Sequence, residues 1–323
     1  MKKLTSLPAA LVVASAVVQA QPAANYPNRP VRLIVHVAPG GGVDLAARTL
    51  APKLSEALGQ QVVVENRAGG GGVIAVDVTL AAPADGYTLF MGSISTLVMA
   101  PATLAKVTYD PLRDFAPITL MSTVPYALVS NPSLPVRSLG DLVKLAKARP
   151  GTLAYGSAGH ATGTHLAAEY FATTAGIQWI HVPYKGSGPA MVDVMSGQIP
   201  LNFITASSGQ AQVLAGKARG LAIATKTRST TMPMVPTFIE QGYAGFEASA
   251  WMGIVTRTGT PAAITRRLHA DIVRLLQTAE LRNALENQGN TVISSTPEEF
   301  ERYIADETRK WRQVIAKARI RID

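Results

Sequence analysis

Short apolar runs alternate along this chain with segments of helical periodicity, and glycine or proline separates one from the next. That rhythm predicts an α/β fold. Val31-Arg32-Leu33-Ile34-Val35-His36-Val37 has the make-up of a buried strand, and Ala38-Pro39-Gly40-Gly41-Gly42 closes it. Leu50, Leu54 and Leu58 then recur on one helical face that stops at Gly59. Pro52 lies inside that helix, where it removes a donor and crowds the Arg48 carbonyl, so a kink is expected there. A strand over 61–65, a glycine loop over 69–72, a short helix through Leu80, an Asp85-Gly86 turn and a strand over 87–91 complete a first unit.

A second unit repeats the order. A strand over 153–156 runs into Ser157-Ala158-Gly159-His160-Ala161-Thr162-Gly163, and the next helix buries Leu166, Tyr170 and Phe171 before Gly176 ends it. Strands over 180–182, 199–203 and 220–225 and a helix over 190–195 follow. The plainest single element is the C-terminal helix. Thr296 is its N-cap, Pro297 its first residue and Glu299 the partner in a capping box. Phe300, Tyr303, Ile304, Trp311, Val314, Ile315 and Ala318 form its apolar stripe.

Two apolar, extended segments, 115–131 and 246–258, separate the units, and the final helices have no sheet of their own. The economical arrangement returns the C-terminal part to the first domain. It predicts one discontinuous domain of residues 21–125 and 250–323, a second domain of 126–249, and two crossovers that serve as a hinge.

Composition narrows the class. Of 323 residues, 16% are charged and 47% hydrophobic, which excludes a disordered chain and supplies two cores. There is no cysteine, hence no disulfide framework, thiolate metal site or cysteine nucleophile. The formal charge of +9 is scattered rather than striped: from Arg257 to Asp323 basic and acidic residues interleave, which argues against nucleic acid. Lys2 and Lys3, the apolar stretch from Leu7 to Val18 and the small-residue site Val18-Gln19-Ala20 make residues 1–20 a secretory signal peptide. Cleavage near Ala20 leaves an exported chain.

Candidate chemistry gathers at two strand-to-helix turns, Pro39-Gly40-Gly41-Gly42-Val43-Asp44 and Ser157-Ala158-Gly159-His160-Ala161-Thr162. A helix start leaves backbone N–H groups unpaired and carries roughly half a positive charge, and glycine lets an anion approach that backbone. Neither turn contains lysine or arginine, so two such starts across a cleft would hold a carboxylate without a fixed cation. Ser157, Thr162 and Thr164 would add hydroxyl donors, while Asp44 is expected to cap its own helix. Other motifs fit less well. Gly40-Gly41-Gly42 lacks the third dinucleotide-fingerprint glycine, and no GxxxxGK[ST] occurs. Tyr155-Gly156-Ser157-Ala158-Gly159 has tyrosine where a nucleophile elbow needs glycine, yet Ser157 with His160 keeps a periplasmic serine hydrolase open as an alternative. The histidines show no metal-ligand spacing, so neither metal nor cofactor is expected, and His160 alone is expected to face a ligand.

The pattern resembles the Bug family, the periplasmic solute receptors of tripartite tricarboxylate transporters. The resemblance is carried by Ala38-Pro39-Gly40-Gly41-Gly42-Val43-Asp44-Leu45-Ala46-Ala47-Arg48, Val64-Glu65-Asn66-Arg67-Ala68-Gly69 and Asp85-Gly86-Tyr87-Thr88-Leu89. Gly156-Ser157-Ala158-Gly159, His181-Val182-Pro183-Tyr184-Lys185-Gly186 and Trp251-Met252-Gly253 continue it in family order. It implies a two-lobed type II periplasmic-binding-protein fold that closes on a small organic acid, one carboxylate being held by the two glycine turns largely through main-chain N–H groups. Gly92 and Ser93, with Thr205, Ala206 and Ser207, are implied at the ligand's far end. The implied partner is a membrane transporter of the tripartite tricarboxylate type, with a monomeric receptor. A sensory module reporting to a membrane kinase would share the site. The departures are Val43, Gly70-Gly71 and Asn202, each at a position where the family usually carries another residue.

Overall fold

The first strand, β1 (Val31–Val35), is buried on both faces and is followed by α1 (Gly42–Leu58), which ends where Gly59 takes a left-handed φ of 69°. The structure is a computed structural model that describes residues 25–104, 107–160 and 162–318. The signal peptide expected over 1–20, and Ala161, lie outside the described residues. Strand β2 (Val62–Asn66), a turn of 3₁₀ helix at Gly70–Gly72, α2 (Val73–Ala81) and β3 (Thr88–Ser93) complete the first unit. Pro52 does not interrupt α1, which is assigned continuously through it, and its ring lies on the solvent side. There the outer hydrogen bonds of a helix stretch most easily.

After β3 the chain makes a π-helical turn at Ser95–Met99, then α3 (Ala100–Thr103) and α4 (Pro111–Asp114), and enters the 16-residue β4 (Phe115–Ser130). The second unit holds α5 (Leu139–Ala148), β5 (Ala154–Ser157), α6 (Gly163–Ala175), β6 (Ile180–Pro183) and α7 (Ser187–Ser196). It continues with β7 (Leu201–Thr205), α8 (Ala206–Leu214) and β8 (Arg219–Ile223). The chain returns through β9 (Ser249–Arg257) and ends in α9 (Ala262–Leu276), α10 (Ala279–Asn287), β10 (Thr291–Val292) and α11 (Pro297–Ala318).

The strands join in the order β2-β1-β3-β9-β4-β7-β5-β6, with β8 and β10 also paired to β4. The two extended segments expected as crossovers are β4 and β9, and they pair with each other at the centre of the sheet. β4 runs antiparallel to β9 from Phe115 opposite Arg257 to Pro125 opposite Ser249. Pro125 has no N–H to continue the ladder. From Tyr126 onward β4 pairs instead with β7 and β8. One strand thus serves two sets of neighbours, changing partners at a proline.

α11 binds the two sets together. Thr296 and Glu299 form the expected capping box, each side chain accepting from the other's amide at 3.1 and 2.8 Å. Phe300, Ile304 and Trp311 are fully buried in the core that Phe171, Phe203, Phe238 and Phe246 also fill. Burying each such side chain contributes about 1.5–3 kcal/mol. α11 packs on α6 from the second unit and on the Ser95–Met99 turn from the first.

Candidate functional site

Strand direction decides where the two glycine turns open. β1 and β3 are parallel to one another, and two antiparallel steps through β9 make them parallel to β4. β7 is antiparallel to β4, and β5 is parallel to β7. The first pair therefore runs toward the second unit, and the second pair runs toward the first. The registers fix the meeting place. Ser93 ends β3 level with Ser122 of β4 through Met252, and Thr205 ends β7 opposite Tyr126. Four strand C-termini converge on the stretch of β4 just before and after Pro125. Ligands of open α/β sheets bind outside the carboxyl ends of the strands.

The first turn is locked from behind. Gly40 takes a φ of +85°, and its amide donates to Asp44 Oδ2 at 2.8 Å. Asp44 is 1% exposed, and it also accepts from Arg48 Nε at 2.9 Å and Asn66 Nδ2 at 2.8 Å. Burial alone would raise this carboxyl's pKa, but the bonds from Arg48, Gly40 and Asn66 together hold it below the usual range. Asp44 is part of the candidate turn, and its carboxylate was expected to cap its own helix. Its carboxylate is spent on the turn, and the residue offers only its amide. The N-cap, Gly41, has no side chain to cap α1. The amides of Gly42, Val43 and Asp44 open the helix with no carbonyl a turn earlier to receive them. Pro39, Gly40 and Gly42 are exposed, and Gly41 and Val43 half-buried.

The second turn is built differently. Thr162 caps α6, accepting from the His165 amide at 3.5 Å and donating to the Gly159 carbonyl at 2.8 Å. Thr164 Oγ1 takes the Ala158 amide at 3.0 Å. Ser157 is fully buried, and its hydroxyl donates to the Gly159 carbonyl at 3.0 Å, accepts from the Gly159 amide at 3.2 Å and meets His181 Nε2 at 2.7 Å. The three hydroxyls expected to face a ligand therefore brace the turn. Tyr126 of β4 packs directly under Gly163, where any side chain would collide. His160 is exposed on the turn.

Spacing along the sequence misleads for histidine. His160, His165 and His181 each bring a ring nitrogen within 4.8 Å of the others. His165 and His181 stack with centroids 3.8 Å apart and planes 7° apart. His165 is five residues from His160, too far for adjacent turns of one helix, but only its second member lies in α6, while His181 comes from β6. Burial, then the neighbouring histidines, lowers the pKa of His165 to about 3, and burial with His160 lowers that of His181 to about 4.

The residues implied at the far end divide. Gly92 is buried against Leu97, and Ser93 is buried with its hydroxyl 3.1 Å from His36 Nε2, so both shape the end of β3 rather than line an opening. Thr205 Oγ1 lies 2.7 Å from Ser208 Oγ, Ala206 is buried, and the half-buried Ser207 packs on Gly289 from the returning chain. Asn66 and Arg48, which complete the lock on Asp44, were not singled out from the sequence as site residues.

The profile of the tripartite tricarboxylate transporter family receptor matches residues 46–320. The chain belongs to that family. Protein BugT of Bordetella pertussis (strain Tohama I) is 39% identical over 292 residues, covering 90% of both chains. An R. palustris protein solved with adipate shares 33% identity and a TM-score of 0.76, covering 92% of this chain and 99% of its own. MatC from Rhodopseudomonas palustris, solved with malate, shares 28% identity and a TM-score of 0.73, covering 90% of this chain and all of its own. Receptors of this family are periplasmic solute-binding proteins and not enzymes. The alternative of a serine hydrolase is thereby corrected, and the geometry gives the reason. Ser157 is paired with His181 rather than His160, and it is buried inside its own turn. No helix among the described residues is long and apolar enough to cross a membrane.

Proposed function

We propose that this receptor captures a small organic carboxylate between two lobes, residues 21–125 with 250–323 and residues 126–249, and hands it to a membrane transporter of the tripartite tricarboxylate type. The carrying observation is the uncapped start of α1, lying at the convergence of four strand C-termini. One carboxylate is received by the amides of Gly42 and Val43 in the turn from Pro39 to Asp44. The turn from Ser157 to Thr162, which includes Ala161, closes on it from the other lobe, and Thr205 and Ser207 flank the far end. Charge-assisted hydrogen bonds of about 1.5–3 kcal/mol each make three such contacts enough for micromolar affinity. The solved relatives with adipate and malate support a dicarboxylate as the first class to try. The chain acts as a monomer, exported after cleavage near Ala20.

A thermal-shift screen of mono-, di- and tricarboxylates, aromatic acids and acidic amino acids tests this reading. At least one acid is expected to raise the melting temperature while its neutral amide does not. A panel in which no acid stabilises the protein overturns it.

A further inference from the structure

The stacked histidines sit on the second turn, and the carboxylate reading gives them no task. His160 lies 5.1 Å from His165 and 6.1 Å from His181, centroid to centroid. From β5, Tyr155 stacks on His181 at 5.1 Å, and its hydroxyl donates to Glu169 of α6 at 2.6 Å. Ser157 holds His181 Nε2. Beyond β6, the Tyr184 hydroxyl donates to Asp193 at 2.6 Å, and Lys185 is exposed. From β4, the Tyr126 hydroxyl reaches Gly163.

A three-histidine cluster invites a metal ion, but the ring geometry argues against one. The lone pair of an imidazole nitrogen lies in the plane of its ring. Two rings stacked 3.8 Å apart with planes 7° apart have no common in-plane point at bonding distance. His165 and His181 therefore cannot both ligate one ion as they stand. The cation that three adjoining imidazoles accept without rearrangement is a proton.

We propose that the stacked pair His165 and His181 takes up one proton when an organic anion occupies the adjoining turn, so that the acid and a proton bind together. This rests on the carboxylate reading above. Without ligand the two stacked rings are neutral near pH 7, because burial opposes charge and each charged ring opposes a second. An anion held on that turn favours the imidazolium; were it about 6 Å from the ring, at an effective dielectric of about 20, the gain would be about two pH units. Ligand and proton then stabilise one another reciprocally. Affinity rises as pH falls, by about tenfold between pH 7.5 and 5.0.

The test is calorimetry at pH 7.5 and 5.0, each in two buffers of unlike ionisation enthalpy, with adipate and malate as probes. If neither binds, the strongest acid from the screen replaces them, and its own protonation is subtracted. The expected result is uptake approaching one proton at pH 5.0 and the corresponding gain in affinity. His181→Gln is expected to reduce the uptake, and imidazole nitrogen NMR to show His165 or His181 titrating at higher pH with acid bound than without. An acid that binds equally at both pH values with no proton uptake overturns the inference and leaves the carboxylate reading intact. A panel with no binding acid at either pH overturns both. Micromolar zinc binding that His160→Gln abolishes overturns the assignment of the cluster to a proton.

Discussion

The Gly40 amide donates to the Asp44 carboxylate at 2.8 Å, so the acid in the first turn faces away from the place where an anion would sit. Asn66 and Arg48 complete its shell. Asp44→Asn keeps the size and removes the charge. It is expected to lower unfolding free energy by about 1.5–3 kcal/mol, the worth of hydrogen bonds to a charged group, and to weaken acid binding as the turn loosens. Because the folded carboxyl has a lowered pKa, its contribution is present above the unfolded value near 4 and is lost as pH falls further through the folded value. Urea denaturation from pH 7 downward checks both statements: wild type and variant differ most at pH 7, and the difference narrows as pH falls below about 4.

Gly42 is the sharper probe of the first turn. A Cβ added there meets nothing within 4 Å, so the fold accepts a side chain. Gly42→Asp places a carboxylate on the amides that receive the ligand and is expected to weaken binding at least 100-fold, about 2.7 kcal/mol. Gly42→Ala, with only a methyl, is expected to stay within tenfold of wild type. Gly159 is unsuited to the same test, because its φ of +145° strains any substitution.

Much of the fold was legible because local signals agreed. Gly59 and Gly176 stop their helices as expected, and the Thr296-Glu299 box opens the last one. Residues 115–131 and 246–258 were legible as extended, but not as each other's partners, since pairing across more than a hundred residues leaves no periodic trace. The two turns were legible only at the level of backbone. Glycine announces a turn that an anion can approach. It does not say which hydroxyls, such as those of Ser157, Thr162 and Thr164, will turn inward to brace it. The meeting of His181 with His165 depends on the pairing of β5 with β6 and is invisible to spacing.

Glu307 joins the returning strand to the last helix. Its Oε2 accepts from Trp251 Nε1 at 3.3 Å and Trp311 Nε1 at 2.9 Å, and Lys310 pairs with its other oxygen. Glu307→Ala strands two buried indole donors. It is expected to cost about 2–5 kcal/mol by urea denaturation. Glu307→Gln, which keeps an acceptor, is expected to lose less than half of that.

Stability is also expected to fall on mild acidification. Burial lowers the pKa of His36 to about 4, and His165 and His181 are lowered likewise. These rings are neutral when folded, whereas unfolded histidine protonates near pH 6.5, so between pH 6.5 and about 4 the unfolded state binds more protons. The melting temperature without ligand is expected to decline steadily over that interval. A flat profile contradicts the burial of these rings.

The central claim is that main-chain amides at the α1 start, opposed by the turn after β5, grip the acid without a fixed cation. A crystal structure with the tightest acid from the screen tests it directly. The account predicts a carboxylate oxygen at about 2.7–3.0 Å from the Gly42 or Val43 nitrogen, with the Ser157–Thr162 turn closed over the same molecule. An acid anchored on a lysine or arginine side chain, away from both turns, would contradict it.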